Sequence, residues 1–162
     1  MIKKTESQKA EDRIWKLKRW GLVGTKKRAA KEFQQMIRWE AADSLGQVTC
    51  VTCGFKNHWT NSDNQMHAGH FVSGRTNSVL FIEATETVAG NCHPQCSVCN
   101  RHRHGNQERY AEYMEKTYGK QRVIELSKLR GKTVKFDLFE LDDMRLSYRA
   151  RSKAAKKRLE NG

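Results

Sequence analysis

Apolar residues along this chain change rhythm several times, and each change marks an element. Between residues 26 and 44, Phe33, Met36, Ile37 and Glu40 recur at three- and four-residue spacing with no Gly or Pro between them. That spacing predicts a helix ended by Gly46. Ahead of it, residues 1–24 are polar and basic with weak periodicity, although Ile14, Leu17, Trp20 and Leu22 suit a short docking helix. From 47 to 90 the pattern turns β-like, with an Asn-, Ser- and Asp-rich loop at 57–64. Met66 to Ser73 and Val79 to Glu86 are predicted as the two strands of a hairpin, joined by the turn-forming run Ser73-Gly74-Arg75-Thr76-Asn77-Ser78. Helical spacing returns over 97–117, placing Tyr110, Tyr113, Met114 and Tyr118 on one side, and again over 120–130 and 138–160, divided at Gly131. The expectation is an α+β chain with a small zinc-stabilised core. Its organisation would be a basic N-terminal arm (1–25), a helix leading into the core (26–46), the core (47–119) and a basic C-terminal helical region (120–162).

Composition sharpens this picture. Only 37% of the 162 residues are hydrophobic, so one modest core is expected and a structural metal would support it. Charge is unevenly placed. Residues 1–40 carry 12 Lys/Arg against 5 Asp/Glu, residues 145–162 carry 7 against 1, and residues 41–144 carry 12 of each. Basic ends around a neutral centre suit a polyanion, with counterion release providing much of the affinity. No apolar membrane span and no signal peptide are evident, which predicts no membrane partner and a reducing cytoplasm.

Four of the five cysteines form two Cys-x-x-Cys knuckles, Cys50/Cys53 and Cys96/Cys99. Structural zinc takes four such ligands in a tetrahedron, and a tight turn lets each knuckle aim two sulfurs at one ion. The knuckles lie further apart than in a short zinc ribbon, so something is inserted between them. Two disulfides or buried free thiols are the alternative, and a reducing compartment disfavours the disulfides. Cys92 is left over, as a small buried residue. Val48 to Gly54 reads as strand, knuckle and turn, and Gln95 to Asn100 as a knuckle opening a helix.

His70, Asn91 and Asn100 lie between and beside the knuckles. Counting from Asn91, Cys96, Cys99, Asn100 and His104 stand five, eight, nine and thirteen residues on. This spacing resembles that of the HNH, or ββα-metal, nucleases. The wider string is similar to one branch, the lambdoid phage NinG (Rap) recombination nucleases. The matching segments are Cys50-Val51-Thr52-Cys53-Gly54, Ala68-Gly69-His70-Phe71, Asn91 to Asn100, Gly105-Asn106 and Tyr118-Gly119, within residues 26–160. The resemblance implies a phage endonuclease in the bacterial host's cytoplasm, cutting branched recombination intermediates such as Holliday junctions and D-loops, alongside host or phage recombination proteins.

The chemistry fits the residue types. A neutral imidazole near pH 7 suits deprotonation of water, which assigns His70 as general base. Asn91 would hold the His70 loop and fix its tautomer. Asn100 would offer a carbonyl oxygen to a catalytic ion, with His104 one helical turn later on the same face. Oxygen ligation favours Mg2+ or Mn2+ there over Zn2+. The resemblance breaks at two positions. The usual third His is Asn100, and the Asp or His that normally precedes the base as a metal ligand is Gly69. His67 is the nearby candidate, although strand alternation puts it on the face opposite His70. His58, His93 and His102 suit structural hydrogen bonds.

Phosphate contacts are expected from Arg101 and Arg103 at the start of the catalytic helix. Lys26, Lys27, Arg28, Arg149, Arg151, Lys153, Lys156, Lys157 and Arg158 are candidates for sequence-independent binding. Leu138, Leu141, Met144, Leu146 and Tyr148 suit either core packing or a homodimer face. The competing function is a non-catalytic zinc-ribbon DNA-binding or adaptor protein. It would need only the four cysteines and the basic ends, not His70 or the Asn91–Asn100–His104 spacing.

Overall fold

The structure, a computed structural model, describes residues 4–63, 65–73 and 77–161. It opens with α1 (Glu6–Glu40). Thr5 caps this helix reciprocally with Gln8: the Gln8 N–H donates to the Thr5 hydroxyl at 3.2 Å and the Thr5 N–H to Gln8 Oε1 at 3.0 Å. The helix breaks once, at Gly21, whose φ of 63° suits a residue without a Cβ. What was expected as an arm over 1–25 is therefore, from Glu6 on, the first half of a helix docked on the fold. Leu17 is 1% exposed, while Ile14 and Leu22 face solvent.

Helix α1 packs along the C-terminal helix α4 (Leu138–Asn161). Arg13 holds Asp142 at 2.7 Å and Asp143 at 2.5 Å; further along, Arg151 grips Glu40 at 2.7 Å and Glu83 at 2.6 Å. The buried Asp142 carboxylate also accepts from Arg145 at 2.7 Å, so both of its oxygens are satisfied. Leu141 and Tyr148 of α4 are buried with Phe33 and Met36 of α1, so core packing accounts for them; Leu146 stays exposed.

Two small antiparallel pairs lie between these helices in the chain, and the second of them packs against α1. β1 (Gln47–Thr49) pairs with β2 (Lys56–His58) around the first knuckle, as the strand–knuckle–turn pattern suggested. β3 (His67–His70) pairs with β4 (Cys92–Gln95), His67 opposite Gln95 and His70 opposite Cys92. The expected hairpin partner, Val79 to Glu86, is not a strand; its turn falls partly at residues 74–76, outside the described residues. The 79–86 segment divides its apolar residues between two cores, Val79 into one and Phe81 into another. Its carbonyls are taken by Asn91 and His70 rather than by a ladder. β4 escapes an alternation search because all four residues are buried and one is Pro94. Pro94 has no N–H to give, but its carbonyl accepts from Val51 at 3.0 Å and ties β4 to the first knuckle.

The helix expected over 97–117 is interrupted. Val98–His102 is a π-type turn, closed by the Arg103 N–H on Val98 O at 2.9 Å. His104, Gly105 and Asn106 then follow with φ of 49°, 88° and 47°, before α2 (Gln107–Tyr118) begins. Gly119 separates α2 from α3 (Lys120–Lys128), and Gly131 lies between α3 and α4 as expected. Tyr110, Met114, Val123 and Leu126 of α2 and α3 form a second core with Val72, Val79 and Ala89. A third, smaller core of Ala42, Val48 and Met66 surrounds Cys50, Cys96 and Cys99. No described helix is long and apolar enough to cross a membrane.

Candidate functional site

The sulfurs of Cys50, Cys53, Cys96 and Cys99 lie within 4.8 Å of one another. Cys53 and Cys96 Sγ are 3.8 Å apart, and a zinc ion about 2.3 Å from four sulfurs sets their separation at about 3.8 Å. Three of the four are buried and only Cys53 reaches solvent. Two local turns build this cluster. In the first, the Gly54 N–H returns to Cys50 O at 2.9 Å and the Cys50 N–H meets Phe55 O at 2.8 Å. In the second, the Cys99 N–H donates to Cys96 Sγ at 3.4 Å, and the Asn106 amide approaches Cys99 Sγ at 3.6 Å. Burial alone would push the Cys50 thiol up, yet donation from the Thr52 hydroxyl and from nearby backbone holds it down at about 7. Cys53 is pushed up to about 12, by burial and then by Cys50 and Cys99. Without a cation, one thiolate in such a cluster raises the others; a dication removes that conflict, so the donor set fits structural zinc. Cys92 stands apart, buried with Phe33 and Phe81.

His70 ends β3. Its Nε2 lies 3.1 Å from Leu80 O, and since a carbonyl only accepts, Nε2 carries the proton and Nδ1 is left as the acceptor. Burial lowers the His70 pKa, opposed by its bond to the Leu80 backbone, so the ring is neutral at pH 7. Asn91, fully buried, ties Val72 to Val79, the residue before Leu80. Its Oδ1 accepts from the Val72 N–H at 2.8 Å, and its Nδ2 donates to Val72 O at 2.9 Å and Val79 O at 2.8 Å. Asn91 thus ties Val72 to Val79, and it is Leu80 O rather than Asn91 that selects the tautomer.

Asn100 sits in the π turn beside Cys99 and meets His67, its Nδ2 donating to His67 Nδ1 at 2.9 Å. His67 therefore shares a site with Asn100, across the strand pair from Gln95. Its pKa is lowered by burial first and then by Arg101 and Arg38. Arg38 was not singled out from the sequence. It reaches from α1 to Met66 O at 3.2 Å, one residue ahead of His67. His104 does not continue a helix from Asn100; it is exposed, in the left-handed conformation beyond the turn, and the shared-face argument for it fails.

A Cβ on Gly69 would collide with Gln95 Oε1 and lie 3.1 Å from Asn100 Oδ1. Behind this point runs a polar chain through the second core. Tyr118 OH meets His93 Nε2 at 2.8 Å, His93 Nδ1 meets Tyr110 OH at 3.0 Å, and Tyr110 OH donates to Gly69 O at 2.8 Å. Because Gly69 O accepts from Tyr110, the Tyr110 oxygen accepts from His93, and His93 accepts from Tyr118. Each member is satisfied, and the chain fixes the backbone next to His70.

A family model described as Bacteriophage Lambda NinG protein matches residues 2–160. The chain belongs to the NinG family. The match begins well before residue 26, in keeping with α1 being a single packed element. No curated protein and no solved structure matches the chain.

The basic residues singled out from the sequence divide into two groups in this member of the NinG family. Arg151 is committed to Glu40 and Glu83, which raise its pKa, and Arg158 donates to Trp39 O at 3.3 Å and Ala42 O at 3.1 Å at the end of α1. These two hold α4 on α1 rather than reaching outward. Arg28 lies over the Trp20 ring at 4.3 Å, and Lys156 pairs with Glu160 at 3.4 Å. Lys27, Arg101, Arg103, Arg149, Lys153 and Lys157 are exposed, and Lys26 is half-buried.

Proposed function

We propose that this NinG-family protein is a metal-dependent DNA endonuclease of the HNH type, with His70 as its general base. The observation that carries this reading is the state of His70. It is a half-buried, neutral imidazole with Nε2 committed to Leu80 O, on a backbone held by Tyr110 at Gly69 and by Asn91 at Val72. Nδ1 is then free to take a proton from an attacking water. The order β3, β4 and helical turn, with the four-cysteine cluster at its base, supports a ββα-metal core. Asn100 fits the ion-binding position, because donating its amide to His67 leaves its oxygen turned toward Gly69. A Mg2+ or Mn2+ ion bound there supplies charge neutralisation at the phosphate and at the leaving 3′ oxygen. The half-buried Arg38 and the exposed Arg101, both near His67, suit the flanking phosphates. Branched DNA as the substrate, cut during phage recombination, follows from the family resemblance.

Plasmid nicking by the zinc-loaded protein in Mg2+ or Mn2+, with and without EDTA, tests the reading. His70→Ala should reduce cutting by about 10²-fold or more, the usual scale for acid–base catalysis, while zinc and DNA binding persist. Cutting by His70→Ala at the parent's rate would remove His70 from the mechanism. No cutting by the parent would leave the non-catalytic zinc-ribbon adaptor as the function.

A further inference from the structure

Gly69 offers no side chain to the site, and another residue fills the space it leaves. Gln95 is fully buried on β4. Its Nε2 donates to Gly105 O at 2.7 Å and faces the Thr52 hydroxyl at 3.4 Å. A carbonyl cannot donate, so the amide cannot be flipped, and Oε1 must point the other way. Among the described residues Oε1 finds no hydrogen-bond donor, which is rare for a buried amide oxygen. It lies too close to where a Cβ on Gly69 would sit for both to be present, and Asn100 Oδ1 lies 3.1 Å from the same point. The carbonyl that orients Gln95 belongs to a costly stretch of backbone, the left-handed run His104-Gly105-Asn106.

We propose that Gln95 Oε1 and Asn100 Oδ1 together ligate a divalent cation, Gln95 supplying from β4 the oxygen that Gly69 cannot supply from β3. What the ion does there rests on the nuclease reading above. Two hard, neutral oxygens suit Mg2+ or Mn2+ rather than zinc. They carry no charge to hold it alone, and Arg38 and Arg101 make the neighbourhood positive. The ion is therefore completed by phosphate oxygens and binds with DNA rather than ahead of it.

The test is Mn2+ binding, read from the free-ion EPR signal, by the zinc-loaded full chain with a short DNA duplex. A His70→Ala background keeps the DNA intact. Gln95→Leu and Asn100→Ala should each weaken Mn2+ by about tenfold or more, since even changes behind a ligand cost 10–100-fold. Gly69→Asp combined with Gln95→Ala should regain tight binding, because removing Gln95 opens the space for a carboxylate on β3. Unchanged Mn2+ affinity in a zinc-retaining Gln95→Leu, with Asn100→Ala weakened, would overturn the role of Gln95 and leave the nuclease reading standing. A background protein that binds no Mn2+ specifically would overturn both. A second measurement covers loss of fold in Gln95→Leu and needs no substitution. With the same duplex bound, iron with ascorbate and peroxide should cleave the parent's backbone near residues 69, 95 and 100, suppressed by Mn2+. Cleavage confined to other segments would overturn the site.

Discussion

Replacing Asn91 with Ala should cost stability and the site together. The side chain is 0% exposed and satisfies three buried backbone groups: the Val72 N–H, Val72 O and Val79 O. Leaving a buried polar group without its partner costs about 1–3 kcal/mol, so three give about 3–9 kcal/mol. The space vacated is polar and wide enough for a water to reach some of them, which puts the expected loss in the lower half, about 3–5 kcal/mol. A domain of this size holds about 5–15 kcal/mol in all, so the variant should fold only marginally. Asn91→Asp keeps the acceptor for Val72 N–H but turns a second acceptor on two carbonyls, and should lose as much at neutral pH. Urea unfolding of zinc-loaded protein, followed by tryptophan fluorescence, measures the change. Nicking at low temperature reads the second effect: Leu80 follows Val79, so its carbonyl should drift from His70 and cutting should fall beyond the unfolded fraction. An Asn91→Ala protein within about 1 kcal/mol of the parent, below even one unsatisfied group's usual cost, would refute this account of the loop, all the more with its cutting intact.

Three further outcomes are expected. Elemental analysis should find one zinc per chain; Cys50→Ser and Cys99→Ser should lose it together with the fold, because binding energy of a structural zinc is folding energy, whereas Cys92→Ser should keep it. His93, with its pKa lowered to about 4 by burial first and then by His70, stays neutral in the folded chain while the unfolded chain binds a proton near 6.5. Its contribution to stability is thus complete above that pH and falls by up to about 1.4 kcal/mol per unit as pH drops toward 4. Urea midpoints of the parent and His93→Leu between pH 7.5 and 5 should converge on acidification. Replacing Arg149, Lys153 and Lys157 with Ala should flatten the dependence of DNA affinity on salt, each lost phosphate contact removing about 0.9 from the slope for duplex DNA. Arg151→Ala should instead shift the melting temperature.

The four-cysteine cluster could be read from spacing, and the candidate residues around it were named the same way, because both act locally. Two Cys-x-x-Cys turns form wherever the backbone allows, and Asn91 to Asn100 is a short run whose order fixes what each residue can reach. Contacts between distant segments were less legible. Val79 to Glu86 reads like a strand because its apolar run Val79-Leu80-Phe81-Ile82 is shared between two cores, a pattern indistinguishable from a buried strand without the partners. β4 shows no alternation, since both faces are covered. The first half of α1 has weak periodicity because Leu17 is its one buried apolar position, and ion pairs to Asp142 and Asp143 do the rest. The break after Asn100 left a trace in Gly105 and Asn106, but a positive φ is uncommon at any residue other than Gly, and His104 alone did not announce one. Arg151 and Arg158 were indistinguishable in sequence from their solvent-facing neighbours, and only Glu40, Glu83 and the end of α1 separate them.

The four cysteines and the proposed catalytic residues are not two separate sites on one scaffold. Cys99 and Asn100 are adjacent in the same π turn, so a metal that fixes the sulfur would also fix the amide. The loop that closes this turn gives the Asn106 amide to Cys99 and the Gly105 carbonyl to Gln95. Thr52, inside the first knuckle, contacts Cys50 at 3.2 Å and Gln95 at 3.4 Å. Val51, beside it, holds Pro94 of β4. The orientation of Gln95 and Asn100 therefore depends on both knuckles being closed. Such coupling gives a physical reason for tolerating three consecutive left-handed residues, two of them not glycine. Regular helix through 104–106 would carry the Gly105 carbonyl away from Gln95, freeing its amide to turn and its oxygen to leave the space above Gly69.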